Sequence, residues 1–173
     1  IASGCCCVLK PSSQTPLATL YLGEIMHKIG LPAGVVNIIA GPSGELGQAL
    51  NASPIPKMIT LIGSSETGRQ VMAQGSTSVK TYSLELGGNA PCIIMEDGDV
   101  DTAVQLAVTS QVSNSGQTCI GYNRIYVHES RYQEFCDKAI ALLKKVKLGA
   151  GRDAGEVIMG PLINERERDR VLG

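Results

Sequence analysis

Tryptophan is absent from this 173-residue chain, phenylalanine occurs once, at position 135, and aromatic residues make up 3% of the whole. Any core it builds must therefore be aliphatic. Histidine is nearly as scarce: His27 and His128 stand alone, and neither lies at a zinc-like spacing from a cysteine. No C-x-x-C pair occurs, so no metal is expected. No apolar run approaches the roughly 20 residues that a membrane span needs, and no signal-peptide pattern opens the chain. Charge of one sign is lacking too: 15 basic against 16 acidic residues leave a net charge of -1. Nothing in that balance favours nucleic acid or an anionic membrane. The chain opens Ile1-Ala2-Ser3-Gly4 without an initiator methionine, which suggests processing or a piece of something longer.

What is present is globular in character, with 43% apolar and 18% charged residues. Twenty glycines predict many tight turns or close backbone approaches. The six cysteines include the run Cys5-Cys6-Cys7, a poor geometry for disulfides because adjacent strand residues point to opposite faces. Reduced intracellular thiols are the simplest reading for all but Cys119.

Short apolar runs alternate with helical patterns. Cys5 to Lys10 reads as a buried strand. Ala18, Leu22, Ile25, Met26 and Ile29 recur at helical spacing until Gly30 and Pro32. Strands are predicted at 35–39, 58–62, 81–86, 92–95 and 124–128. Helices are predicted at 44–51 and 65–74, on the face Val100, Ala103, Val104, Ala107, Val108, and on the face Tyr132, Phe135, Cys136, Ala139, Leu142, Leu143, Val146. After Gly149 the chain reads as loop, then as polar and charged. Repeated strand-helix order predicts an α/β fold with doubly wound parallel sheets. Two such units meet near Gly87-Gly88.

Four segments carry chemistry. Met58 to Ile62 leads into Gly63-Ser64-Ser65-Glu66-Thr67-Gly68, where a strand, a Gly-Ser turn and a helix start could hold a phosphate on free N–H groups. A simple helix cap is the alternative. Lys10-Pro11-Ser12-Ser13 follows the first strand at its carboxyl end, where ligands of open α/β sheets sit. A solvated lysine before a proline turn is the bland alternative. In Leu84-Glu85-Leu86-Gly87-Gly88-Asn89-Ala90-Pro91 a carboxylate ends an apolar strand. Burial would raise its pKa and make it a general base near neutral pH, whereas a strand-end glutamate in solvent needs no explanation. In Ser115-Gly116-Gln117-Thr118-Cys119 a lone cysteine is either a small buried hydrophobe or a nucleophile. A thiol of pKa near 8.5 is only about 3% thiolate at pH 7, so a catalytic one needs local help.

These pieces resemble the aldehyde dehydrogenase superfamily. V-L-K-P-S-S-Q-T-P, G-S-S-E-T-G, L-E-L-G-G-N-A-P, G-Q-T-C and the late M-G-P-L-I of Met159 to Ile163 stand in the family's order. The interval from Glu85 to Cys119 fits its hydrolytic members. The resemblance implies that Cys119 is the nucleophile and Glu85 the general base. It implies that Lys10, Ser12 and Ser13, with Pro11 between them, border the adenosine ribose. Gly63 and Ser64 would border the pyrophosphate, with Gly68 in the same motif, and Leu86 the nicotinamide. Residues 1–86 would be the second half of a cofactor-binding domain and 87–173 the start of a catalytic domain, both incomplete. The implied cofactor is NADP or NAD, and the implied substrate a small aldehyde or semialdehyde. The full-length protein would be a homo-oligomer, a dimer or tetramer. It would be cytoplasmic, or sit in the mitochondrial matrix of a eukaryote.

Relative to the family, the early cofactor-binding segment, an upstream oxyanion-hole asparagine and a later ribose-gripping carboxylate are missing, so an isolated chain is expected to be inactive. Coenzyme A-acylating relatives generally lack a glutamate at the position of Glu85. A non-catalytic binding or structural protein on the same fold would have lost Cys119 or Glu85. A phosphate-binding domain without redox chemistry leaves G-Q-T-C unexplained. In strongly NAD-preferring relatives a glutamate occupies the position of Ser13. The neutral serine, beside Lys10, therefore points to acceptance of NADP, and the K-P-S-S-Q-T-P context resembles succinate-semialdehyde oxidisers.

Overall fold

The computed structural model describes residues 1–152, 155 and 157–173. Asp153, Ala154 and Glu156, within the stretch expected to be loop, lie outside the described residues. The chain divides into two compact units, Ile1–Leu86 and Gly87–Gly173.

In the first unit strands and helices alternate: β1 (Cys7–Leu9), α1 (Leu17–Lys28), β2 (Val36–Ile38), α2 (Ser43–Ala52), β3 (Met58–Gly63), α3 (Ser65–Gly75) and β4 (Thr81–Leu86). β1 pairs parallel with β2, and β3 with β4. The strand-helix order thus yields the expected α/β class with parallel pairing. Among the described residues the ladders form separate two-stranded sheets. α1 ends where the sequence places its stop. Gly30 takes φ 76°, its N–H donates to the His27 carbonyl at 3.1 Å, and the Leu31 N–H donates to Met26 at 3.0 Å. Those two bonds satisfy the last carbonyls of the helix, and glycine adopts the left-handed turn without strain.

α3 packs on β3, β4 and α2. Asn51 of α2 is buried and donates from Nδ2 to the Gln74 side-chain oxygen at 2.8 Å. Gly75 ends α3 beside the Tyr82 ring; a Cβ there would stand 2.2 Å from the tyrosine hydroxyl. Lys80 ties two turns together by donating to the carbonyls of Ser53 and Pro56. Among the described residues of this unit, Val71 is the sole buried hydrophobic one. The expected buried strand at Cys5 to Lys10 needs correction. The strand is Cys7–Leu9, Cys5 and Cys6 are exposed, and Cys7 is half-buried. Among the described residues it pairs with β2, and Val8 between Cys7 and Leu9 is exposed.

The second unit contains β5 (Ala90–Ile94), α4 (Val100–Val112), β6 (Tyr122–Val127), α5 (Glu129–Leu143) and α6 (Glu165–Leu172). β5 pairs parallel with β6, with a register irregularity between Ala90 and Pro91. The proline, which has no N–H to give the ladder, is tolerated at such a break. Val100, Val104, Ala107, Val108 and Val112 of α4, Ile94 of β5 and Phe135 of α5 form a buried cluster. Cys92 and Cys136 pack at its edge as small hydrophobes. The predicted α5 face is narrower than its periodicity suggests: Tyr132 and Leu143 are exposed. The polar end of the chain is helical from Glu165, capped by Asn164, whose side chain accepts from the Glu167 N–H at 2.9 Å. Among the described residues no helix is long and apolar enough to cross a membrane.

Candidate active site

On the first unit, parallel pairing of β1 with β2 brings the loops after both strands to the same edge. The Lys10 ammonium donates to the Pro11 carbonyl at 2.9 Å and to the Ser43 hydroxyl at 3.2 Å. The Ser43 hydroxyl in turn reaches that of Ser13 at 3.4 Å. Ser12 serves its own turn, its hydroxyl accepting from the Gln14 N–H at 3.2 Å. Lys10 and Ser13 are thus joined through Ser43, the first residue of α2, which the sequence reading did not single out. Its signal was topological: a second strand parallel to the first must deliver its following loop beside Lys10.

At the end of β3, Gly63 stands in register with Leu86 of β4. Ser64 caps α3, accepting from the Thr67 N–H at 3.1 Å. The Arg69 guanidinium draws Glu66 back along the helix at 2.6 Å and holds its carboxyl below the usual carboxylate range. Gly68 lies one turn in, buried, and a Cβ there would come within 3.2 Å of both methyl groups of Leu86. Gly63, Ser64, Gly68 and Leu86 therefore gather around one turn.

Glu85 departs from expectation. It is exposed, not buried. Tyr82, Leu84 and Leu86 contact α3, so by strand alternation Glu85 projects from the other face of the β3–β4 pair. Its cross-strand neighbour is Ile62, which is 81% exposed. Within this unit, Glu85 and Ile62 thus stand exposed side by side.

Cys119 belongs to the second unit and is exposed. It occupies a tight turn closed by the Gly121 N–H donating to the Thr118 carbonyl at 3.1 Å. Gly88 approaches from β5's side of the unit; a Cβ on it would press within 3.2 Å of the Cys119 carbonyl oxygen. Ahead of the cysteine the backbone is left-handed at three successive residues, Asn114 (φ 51°), Ser115 (φ 58°) and Gly116 (φ 73°). That conformation is uncommon for residues other than glycine. Side chains hold it. Asn114 donates to the Gln117 carbonyl and Gln117 donates to the Asn114 carbonyl, both at 2.9 Å. The Ser115 hydroxyl donates to the Gly160 carbonyl at 2.8 Å, and the Ile163 N–H donates to the Gln117 side-chain oxygen at 3.1 Å. Sequence reasoning named G-Q-T-C and M-G-P-L-I as separate motifs. It did not anticipate that they bond to each other.

The sequence model of the aldehyde dehydrogenase family matches residues 1–173, the whole chain. The chain belongs to the aldehyde dehydrogenase family. It is 46% identical over 171 residues to a glutarate-semialdehyde dehydrogenase of Pseudomonas aeruginosa, covering 99% of this chain and 35% of that protein. It is 45% identical, with the same coverage, to an NADP(+) succinate-semialdehyde dehydrogenase of Escherichia coli. Among solved aldehyde dehydrogenase structures, betaine aldehyde dehydrogenase of Staphylococcus aureus in complex with NAD+ superposes with a TM-score of 0.91 at 36% identity, covering 98% of this chain and 34% of that one. An NADP-dependent enzyme of Escherichia coli gives 0.95 at 44% identity, over 98% and 35% of the two chains. The chain thus spans about a third of the length of these relatives.

Proposed function

We propose that the full-length protein containing this chain oxidises an aldehyde, a semialdehyde in particular, to the carboxylic acid with NADP or NAD. The observation that carries the reading is Cys119: an exposed thiol in a tight turn, braced by a left-handed segment, in a chain that matches the family from end to end. The two units are read as the second half of a cofactor-binding domain, 1–86, and the start of a catalytic domain, 87–173. The named substrates of the glutarate- and succinate-semialdehyde relatives favour a semialdehyde.

The residues present suit a dinucleotide. Lys10, Ser13 and Ser43 offer an ammonium and two hydroxyls within mutual reach, a donor set fit for ribose hydroxyls or a 2′-phosphate. Ser12 and Pro11 shape the same turn. Gly63, Ser64 and the first turn of α3, with Gly68 and Leu86 against it, offer a helix start to a pyrophosphate. The cofactor supplies a hydride acceptor. Cys119 supplies the rest of the first stage: its thiolate adds to the aldehyde carbonyl, and loss of hydride from that adduct leaves a thioester on the sulfur. The Gly121 N–H closes the turn, and the Cys119 N–H serves as a donor to the developing oxyanion. Glu85 takes a proton from the water that releases the acid. The setting is a homo-oligomer of two or four subunits, in the cytoplasm or, in a eukaryote, the mitochondrial matrix.

The test is the full-length protein with succinate semialdehyde. Cys119→Ala should abolish reduction of cofactor. Glu85→Gln should keep a pre-steady-state burst and slow turnover by roughly a hundredfold. Unchanged turnover in Cys119→Ala would sink the reading. Turnover that needs an added thiol acceptor would replace hydrolysis by acyl transfer.

A further inference from the structure

We infer that the segment Gly160–Ile163 is a strap that aims the Cys119 turn, with Ser115 and Gln117 as positioning residues. The inference rests on the reading of Cys119 as nucleophile. Its ground is the set of bonds inside the second unit, which spans more than forty residues of sequence.

Three left-handed residues in succession, two of them not glycine, do not hold themselves. Asn114 and Gln117 exchange bonds within the loop, but those fix its shape and not its direction. Direction comes from outside. The Ser115 hydroxyl donates to the Gly160 carbonyl at 2.8 Å and lies 3.3 Å from that of Pro161. The Gln117 side-chain oxygen accepts the Ile163 N–H at 3.1 Å.

The strap is anchored at its start. Leu148 and Met159 form a parallel bridge, the Gly149 N–H donates to the Met159 carbonyl at 3.2 Å, and Met159 packs on the buried cluster. Beyond Ile163, Asn164 caps α6. Pro161 fixes φ within the strap and needs no donor partner. A rigid segment tied to the core thus grips the loop two and four residues before the thiol. The opposite side of the turn is bounded by Gly88 against the Cys119 carbonyl.

The experiment uses the full-length enzyme. Ser115→Gly removes the hydroxyl while keeping a residue at ease at positive φ, so it separates tether from strain. Gln117→Ala removes the second tie together with the bond to the Asn114 carbonyl, and Gln117→Glu restores the acceptor for the Ile163 N–H without that donor. A misaimed nucleophile costs on the order of tenfold to a hundredfold in rate. Ser115→Gly and Gln117→Ala should each lower kcat in that range, with KM for the aldehyde within about threefold. The pH dependence of Cys119 alkylation by iodoacetamide should be the same in both variants as in the wild type, because neither substitution adds or removes a charge. Gln117→Glu should regain part of kcat. Wild-type kcat in Ser115→Gly overturns the inference, as does a loss of kcat matched by a fall in Tm with no rescue by Gln117→Glu. Failure of the nucleophile reading would show separately, as an active Cys119→Ala protein.

Discussion

The two units use the same strand-helix grammar and differ in how much they bury. In the second, seven hydrophobic side chains from β5, α4 and α5 close on one another. Among the described residues of the first, Val71 is the one buried hydrophobic side chain, while Ile62, Ile55 and Val79 are each more than 80% exposed. The difference teaches that two parallel strands and a helix do not make a core unless a second layer closes over them. α4 and α5 pack on each other as well as on strands. In the first unit α3 covers one face of β3 and β4, and Glu85 and Ile62 on the other face are exposed. Regularity of secondary structure and burial are separate properties, and the catalytic reading needs both.

The sharpest way to break that comparison is to cut into each core. Phe135→Ala removes the only phenylalanine, from a position 7% exposed. It should destabilise the second unit by about 3 kcal/mol or more, through lost transfer energy and a cavity. Val71→Ala in the first unit should cost about 1.5 kcal/mol, two methyl groups' worth of burial. Urea denaturation of the chain, followed by far-UV circular dichroism, measures both. Equal costs would mean that the first unit is cored as well as the second.

Much of this contrast could be read in the sequence, and the part that could not has a physical reason. The α4 face of Val100, Val104, Ala107 and Val108 was legible because a helix core-packed along one side keeps a strict period. α6 was not, because its residues are nearly all charged and no apolar stripe marks it. The strand of Cys5 to Cys7 was overread: an apolar run says that burial is favourable, not that a covering layer exists. The burial of Glu85 stayed open between two readings for the same reason. Its place on β4 followed from the pattern, and its exposure depends on what lies over that face. Lys10, Gly63 and Ser64 were singled out because turns at strand ends carry local signals, and their cofactor roles came from the family resemblance. Ser43 and the bond between Gln117 and Ile163 needed long-range topology, which no local pattern contains.

A second prediction sharpens the contrast from the cofactor side. If the first unit's contribution is a charge set, cofactor choice should follow the charge at Ser13. Ser13→Glu places a carboxylate beside the Ser43 and Lys10 pair. It would compete for the lysine and repel a 2′-phosphate. A phosphate within about 4 Å of an ammonium gains on the order of 1 to 4 kcal/mol, depending on effective dielectric. The ratio of kcat/KM for NADP over NAD in the full-length enzyme should therefore fall tenfold or more. Ser43→Ala should move it less, since a hydroxyl is removed and no charge is added. A ratio that does not respond to Ser13→Glu would place the discrimination outside this turn.

The smallest effect expected concerns how charge assists the packed unit. Lys138 on α5 meets Asp101 on α4 at 2.6 Å and Glu134 on its own helix at 2.9 Å. The first of these links the two helices that make the core. Arg69 and Glu66 in the first unit lie on one helix and link nothing. The Lys138 ammonium holds the Glu134 carboxyl below its ordinary value of 4.5, by a hydrogen bond first. Asp101 and then Glu134 raise Lys138 above its ordinary 10.5. A depressed carboxyl stabilises the fold above its unfolded pKa and loses that contribution as pH falls through its folded one. A raised lysine stabilises below its unfolded pKa and loses the contribution as pH climbs through its folded one. The network is therefore complete between about pH 4.5 and 10.5 and fades in acid. Exposed pairs contribute little, so Lys138→Met, which keeps the apolar stem, should lower Tm at pH 7 by roughly a degree or two. The gap should narrow as pH falls below about 4.5 and shrink in 1 M salt, where the screening length is about 3 Å. Glu66→Gln should shift Tm less at any pH. A Lys138→Met deficit as large at pH 3 as at pH 7 would mean that the packed stem, and not the charge, joins α5 to α4.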